Sequence, residues 1–387
     1  MIRAAVTGVG AVSGFGRGAE ALWSALVEGR RAMRPRAELP GQLALFDELP
    51  LDTPERAAQM ARIAADEAWA DAARPPSGER LGVVVGTTLG GIGGWLRTAA
   101  HQGSPDEMWQ DAAPGPRWTW AGPAQSLAHA FGANGPVQAP SVACASGNVA
   151  LGSALDLVRS GRADVVLAGG VDALHDFVVH GFGALKAADP EPCRPFDKSR
   201  RGLNLGEGAA FLVVEAEPHA RARGARIRAF LDGYGVSADA VHMTGPDREG
   251  RGAARAMAAA LADAQLRPDE IQFVSAHGTA TPFNDLMEAK ALALVFGALI
   301  PPVNSIKSAV GHTLGAAGAL EALLCVRTLE TGLITPTPGL NEQDPEIALD
   351  VVRDQPRRVS ARAVLSTSSG FGGTNAAIVL RAADTIL

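Results

Sequence analysis

The sequence predicts an α/β protein built of two halves, with sheets covered by helices. Three observations carry that prediction. Short apolar runs of strand length alternate with longer Ala- and Leu-rich runs of helical character along the whole chain. The 45 glycines cluster at the ends of apolar runs rather than in repeats, which is where tight turns belong. A length of 387 residues suits about two domains of ordinary size.

Taken in order, residues 4–10 form a short apolar strand closed by glycine, and residues 21–28 a helix stopped by Gly29. The Pro- and Arg-rich stretch 31–52 reads as a surface loop. Residues 54–73 form an Ala-rich helix and residues 81–91 a buried strand with a glycine turn. Residues 93–123 hold four of the six tryptophans (Trp95, Trp109, Trp118, Trp120) without a clear period. That stretch reads either as an excursion capping a cavity or packing on a partner subunit, or as plain surface irregularity. Residues 135–140 are a short extended segment, and 149–158 a helix apolar nearly all round, hence buried. Buried strands follow at 163–170 and 208–215. The polar, Arg-rich run from His219 to Gly224 is the expected boundary, giving halves 1–223 and 224–387. The second half repeats this alternation, with a strand at 225–235, a helix at 252–264, a strand at 271–276, helices at 286–296 and 314–329, and a last strand at 376–380.

Composition excludes several classes. With 47% hydrophobic residues, 20% charged and a net charge of −6 without long runs of one sign, the chain reads as a soluble protein with a large core. A nucleic-acid binder would concentrate basic residues on one face. No stretch of about 18 or more apolar residues exists, so no membrane span is expected. The apolar run at the N-terminus is too short for a signal peptide. The three cysteines, Cys144, Cys193 and Cys325, cannot form an even disulfide set and make no CxxC pair, which points to a reducing, cytoplasmic location. Leu89-Gly-Gly-Ile-Gly-Gly lacks the strand-to-helix setting of a dinucleotide loop.

Chemistry is first suggested by Pro140-Ser-Val-Ala-Cys144-Ala-Ser-Gly-Asn148, a small-residue turn between an extended segment and a helix start. A cysteine there sees the positive end of the helix dipole, which favours thiolate. By itself the turn leaves two readings open, a nucleophile or an inert core thiol. Three glycine-flanked segments of the second half then carry polar residues where a core would not want them. They are Ser275-Ala-His277-Gly-Thr279-Ala-Thr281, Asn304-Ser-Ile-Lys307-Ser-Ala-Val-Gly-His312, and Ser366-Thr-Ser-Ser-Gly-Phe371-Gly-Gly-Thr-Asn375. Loops at strand ends are the usual mounts for reacting groups.

Six motifs in order, Ala143-Cys-Ala-Ser-Gly, Arg194-Pro-Phe-Asp-Lys-Ser-Arg, Gly206-Glu-Gly-Ala, His277-Gly-Thr-Ala-Thr, Lys307-Ser-Ala-Val-Gly-His and Gly370-Phe-Gly-Gly-Thr-Asn, span the chain. Over essentially residues 1–382 the sequence resembles the β-ketoacyl-acyl-carrier-protein synthases of the elongating, Cys-His-His type. The resemblance implies the thiolase fold, two similar halves in a five-layered α-β-α-β-α sandwich, and a homodimer or a heterodimer with a ketosynthase-like partner. It implies no metal and no cofactor of the chain's own; phosphopantetheine arrives on the acyl carrier protein.

Residue by residue, the resemblance implies that Cys144 holds the acyl chain and that the backbone N–H groups of Cys144 and Phe371 form an oxyanion hole. His277 and His312 would stabilise the enolate left when malonyl thioester loses CO2, though the sequence does not show which ring nitrogen donates. Lys307 and Glu288 match a pair that orders the site, and Asp285 a nearby acid. Thr279 and Thr281 match hydroxyls that bind the phosphopantetheine arm, Phe371 a gate to Cys144, and Leu89 a position bordering the acyl pocket. Arg194, Lys198, Arg200 and Arg201 form the densest basic cluster for docking an acidic carrier. Ser369, Thr367, Ser275 and Arg201 depart from the family's Phe, Asn, Asn and Asp. The first three bear on the gating loop, on a monovalent cation that some members bind near Glu321, and on the acyl substrate, for which a polyketide or polyene pathway fits as well as fatty-acid synthesis. The rival readings are a chain-length-determining partner subunit, which usually lacks the nucleophile, and a thiolase, which carries a second catalytic cysteine. Cys325, among apolar neighbours in the helix at 314–329, reads as core. An initiating synthase would have asparagine where His312 stands.

Overall fold

The structure, a computed structural model, describes residues 2–94 apart from residues 38, 54, 77 and 79, and residues 119–383. One eleven-stranded sheet organises the chain. Its first half contributes β1 (Ala4–Ser13), β2 (Leu81–Gly86), β3 (Val137–Gln138), β4 (Val165–Asp172) and β5 (Gly208–Ala216). Its second half contributes β6 (Ala229–Ala238), β7 (Phe273–Ser275), β8 (Val303–Asn304), β9 (Ala363–Gly370) and β10 (Thr374–Ala382). Along the sheet the order is β8-β7-β9-β10-β6-β1-β5-β4-β2-β3, and the two-residue strand Gly16–Arg17 pairs with the end of β1.

Read outward from the centre, each half places its first, fifth, fourth, second and third strand in that sequence. The pairing matches too: first with fifth and fifth with fourth antiparallel, fourth with second and second with third parallel. The halves join where β1 and β6 pair antiparallel. No identity between the halves reveals this duplication, because what repeats is backbone order rather than side chains.

Two helices, α1 (Ser146–Arg159) and α2 (Ala317–Thr331), lie between the halves and touch strands of both. This explains why they are apolar nearly all round: α2 is buried without interruption from Ala317 to Val326. Helices Arg56–Asp71 and Gly122–Phe131 cover the outer face of the first half, and helices Arg251–Asp263 and Pro282–Phe296 that of the second. The result is five layers, α-β-α-β-α. Strands covered on both faces read as continuous apolar runs, as β4 and β5 do, every residue of each being buried.

Several boundaries differ from the sequence reading. The segment 366–369 is not loop but the end of β9, where the Thr367, Ser368 and Ser369 side chains find partners. The helix expected at 286 begins at Pro282, where proline's fixed φ suits the first helical turn and Thr281 precedes it. A helix at Asp176–Ala184 lies where none was expected. Within the tryptophan-rich stretch, Trp95, Trp109 and Trp118 lie outside the described residues, and Trp120 donates its ring N–H to the Thr88 carbonyl at 2.9 Å.

Candidate active site

Cys144 sits between β3 and α1, two residues before the first helical residue. Ala143 just ahead of it has φ 51°, a left-handed conformation that costs an L residue energy and persists only where surroundings enforce it. Ser146 enforces it by accepting the Val142 N–H at 2.9 Å and donating to the Ala143 carbonyl at 2.6 Å. Glycines let the two central helices cross at contact distance. A methyl on Gly147 would lie 2.7 Å from the Ala319 nitrogen, and one on Gly318 2.8 Å from the Asn148 nitrogen. This crossing sets the Cys144 turn against the loop that carries His312. The thiol is buried, and burial pushes its pKa up to about 12 against the opposing charge of Lys307. Burial thus favours the thiol, the opposite direction to that expected from the helix terminus.

His277 follows β7 in a loop held by two carboxylates on one face of helix Pro282–Phe296. Glu288 accepts the N–H groups of His277 and Gly278 at 2.7 and 2.8 Å, and the Thr367 hydroxyl at 2.6 Å. Asp285 accepts those of Thr279 and Ala280 at 3.0 and 3.1 Å and that of Phe196 at 2.8 Å; burial raises its pKa to about 6. Glu288 thus orders the site through the His277 backbone. Lys307 instead pairs with Glu321, both fully buried, so the expected Lys307–Glu288 pair is replaced by Lys307–Glu321. Burial raises Glu321 to about 7 while Lys307 opposes the rise.

The rings of His277 and His312 meet edge-on, centroids 5.3 Å apart at 84°. Burial, reinforced by the Lys307 charge, holds both well below the ordinary histidine value, so both are neutral at pH 7. His312 Nδ1 accepts the Leu314 N–H at 3.3 Å, which places its proton on Nε2 as a donor. His277 Nδ1 is buried without a hydrogen-bond partner.

Cys144, His277, His312, Thr279, Thr281 and Phe371 line one cavity of about 760 Å³. Thr279 and Thr281 share a hydroxyl hydrogen bond of 2.9 Å. Phe371 stacks on Phe182, centroids 5.5 Å apart and 22° between planes, and both face the cavity. Phe182, on the helix Asp176–Ala184, carried no signal in the sequence beyond its type. Leu89 packs in the apolar cluster around Cys144 without lining the cavity, and Glu288 and Lys307 lie behind its wall. Of the three cysteines only Cys144 reaches the cavity; Cys325 is core.

The basic cluster is largely occupied by internal acids. Arg200 is buried on Asp344, Arg194 and Arg201 share Asp189, and Lys198 pairs with Glu342. Of the four, Arg201 alone lines the cavity, where Lys186 and Arg248 join it, Arg248 standing 4.5 Å over the Phe283 ring. Among the described residues no group of three or more His, Cys, Asp or Glu side chains could hold a metal ion. Ser275 Oγ, Ser366 Oγ and Glu321 Oε2 are buried without partners, and Ser275 and Ser366 are register neighbours on β7 and β9. No helix among the described residues is long and apolar enough to cross a membrane.

The duplicated strand order and five layers define a thiolase fold, here with a thiol and two imidazoles on one cavity. Residues 44–220 match the β-ketoacyl synthase N-terminal domain family and residues 228–341 its C-terminal domain family. Nodulation protein E of Rhizobium meliloti (strain 1021) is 36% identical, the match covering 98% of this chain and 99% of that protein. A chain from the AntDE:AntF complex, a type II PKS acyl-carrier protein with its ketosynthase bound to the hexaketide, matches with TM-score 0.92 at 31% identity, covering 99% of this chain and 100% of its own. The ishigamide ketosynthase/chain length factor matches with TM-score 0.91 at 36% identity over 99% of each chain. The chain belongs to the β-ketoacyl synthase family, whose members are condensing enzymes of the acyltransferase class.

Proposed function

We propose that the protein is an elongating β-ketoacyl synthase acting by decarboxylative condensation. The observation that carries this reading is the meeting of Cys144 with two neutral imidazoles on one cavity. Cys144 sulfur attacks an acyl thioester on the phosphopantetheine of a carrier protein; the carrier thiol departs with the proton that Cys144 gives up. Backbone N–H groups of Cys144 and Phe371 would hold the oxyanion, and Gly370 has no side chain to stand between them: a methyl there would lie 3.1 Å from the Cys144 nitrogen.

Malonyl thioester then enters. His312 Nε2–H and His277 donate to its carbonyl oxygen as the carboxylate departs as CO2 and an enolate forms. The enolate carbon bonds to the acyl carbon, the C–S bond to Cys144 breaks, and the sulfur regains a proton from solvent. Neutral rings suit this step because each keeps one N–H for the enolate oxygen. Thr279 and Thr281 would bind the phosphopantetheine arm, and the Phe182–Phe371 stack would gate access to the thiol.

For partners, we infer an acidic carrier docking on the cavity mouth by Lys186, Arg201 and Arg248, and pairing with a second ketosynthase-like chain, in polyketide or related synthesis. A silent chain-length partner has no need of the assembled thiol and imidazoles, and a thiolase would bring a second cysteine to the cavity, which Cys325 does not do. The deciding experiment is intact-mass analysis with a panel of acyl-carrier thioesters, alone and with a co-expressed ketosynthase-like partner. An acyl adduct on Cys144 followed by a chain two carbons longer after malonyl-carrier addition is expected. No adduct with any carrier, even with the partner present, rejects the reading.

A further inference from the structure

Asp172, the last residue of β4, is fully buried and takes no part in the steps above. Its two oxygens collect four donors from both halves of the molecule. Oδ1 accepts the Thr87 hydroxyl at 2.7 Å and the Leu89 N–H at 2.9 Å. Oδ2 accepts the Thr88 N–H at 2.8 Å and, across the seam between halves, the Gly315 N–H at 2.7 Å. Three of these are backbone groups that would otherwise be buried without an acceptor. Space is equally exacting: a methyl on Gly315 would stand 2.7 Å from Asp172 Oδ2 and 2.7 Å from the Thr87 Cα.

The Gly315 contact matters because of what precedes it. Leu314 has φ 52°, a left-handed conformation that a leucine adopts only when its surroundings hold it there. In that conformation its N–H points at His312 Nδ1. We propose that Asp172 is a positioning residue: by holding the Gly315 N–H it locks the 313–315 turn, aims the Leu314 N–H at His312 Nδ1, and so keeps the His312 proton on Nε2, facing the cavity. The same carboxylate ties the 88–89 backbone, beside Cys144, to that turn. The functional part of this assignment rests on the ketosynthase reading; the structural part does not.

The substitutions separate the roles. Asp172→Ala removes all four acceptor sites, so the turn relaxes and the ring loses its fixed tautomer. Asp172→Asn retains one oxygen. Turned toward Thr88 and Gly315, the amide oxygen keeps the His312 side, while its NH2 faces the Thr87 hydroxyl, which can rotate to accept, and the Leu89 N–H, which loses its acceptor. Asparagine therefore rescues the His312 side of what alanine loses.

The test is long-range 15N spectroscopy of histidine-labelled protein, the His312 signals assigned by their loss in His312→Asn, together with the two half-reactions. Wild-type His312 is expected as the Nε2–H tautomer, lost in Asp172→Ala and retained in Asp172→Asn. Malonyl-carrier decarboxylation should fall roughly tenfold or more in the alanine variant, while Cys144 acylation changes by less than about threefold. Asparagine should restore decarboxylation to within about threefold of wild type. A wild-type His312 protonated on Nδ1 overturns the proposal even if the alanine variant does not fold. So does a folded alanine variant that keeps the Nε2–H spectrum. A tautomer change in an enzyme that never decarboxylates malonyl thioesters supports the positioning role and rejects the ketosynthase reading instead.

Discussion

The two halves share a strand order but use corresponding strand ends differently. After the third strand, the first half turns through Ala143 into Cys144 and a helix, while the second runs through Lys307 and Gly311 to His312 before its helix. After the second strand, the first half makes the 87–89 turn, cradled by Asp172. The second makes the His277 loop, cradled by Glu288 and Asp285. After the fourth strand, the first half ends in that carboxylate and the second in the Gly370-Phe371 turn. On the proposed function, one half would present the atom that forms covalent bonds, and the other most of the groups that would meet developing negative charge. Duplication supplied two equivalent frames, and the side chains at their loops divided the chemistry between them.

That division can be broken one side at a time. The largest effect is expected from Cys144→Ala, which keeps the small buried volume and removes the only cavity thiol: intact-mass spectra should show no acyl adduct, with an unchanged melting curve. Acylation surviving that change would place the nucleophile elsewhere. Next, His277→Ala or His312→Ala should slow malonyl decarboxylation by roughly 10²–10³-fold, as removal of an oxyanion donor does, and leave single-turnover acylation within about threefold. Equal losses in both half-reactions would mean that the histidines serve both halves of the chemistry.

Lys307→Met tests the support behind the second half. It leaves Glu321 buried without its cation, so unfolding free energy should drop by about 3–5 kcal/mol in denaturant titrations. A variant as stable as wild type would show that the pair is dispensable. The finest distinction is in pH. With both imidazoles held neutral, decarboxylation should show no acid limb near the ordinary histidine value of about 6.5. Iodoacetamide alkylation of Cys144 should rise about tenfold per pH unit from about pH 7 to 9, since the thiol titrates far above that range. A plateau near neutrality would show that the helix terminus prevails over burial after all.

Much of this was legible in the residues. Alternating runs locate most of the strands and helices, and the nearly all-round apolar stretch at 149–158 marks a buried helix. Small, glycine-flanked turns at strand ends single out Cys144, His277 and His312 as candidates, but the turn alone leaves Cys144 open between nucleophile and core thiol, and the resemblance of six motifs in order is what gives the three a common role. What escaped depends on partners distant in sequence. The β9 strand is hidden by Ser366-Thr-Ser-Ser, whose last three side chains are received by Glu288, Asn148 and Asn375. Lys307 looks the same in sequence whether it meets Glu288 or Glu321. Asp172 gives no local sign that four donors from two halves converge on it.

The glycine crossing of the two central helices bears on how such a site can change. Neither Gly147 nor Gly318 touches a reacting atom, yet the missing side chains set how closely the nucleophile's turn approaches the histidine's loop. They act as the jaws of a caliper, set by atoms that are not there. A methyl added at either jaw would meet backbone of the facing helix at 2.7–2.8 Å, so something at the crossing must shift. On the proposed function, the spacing of the reacting groups would then be recorded in two residues outside the chemistry, and a lineage could retune the site there without touching Cys144, His277 or His312.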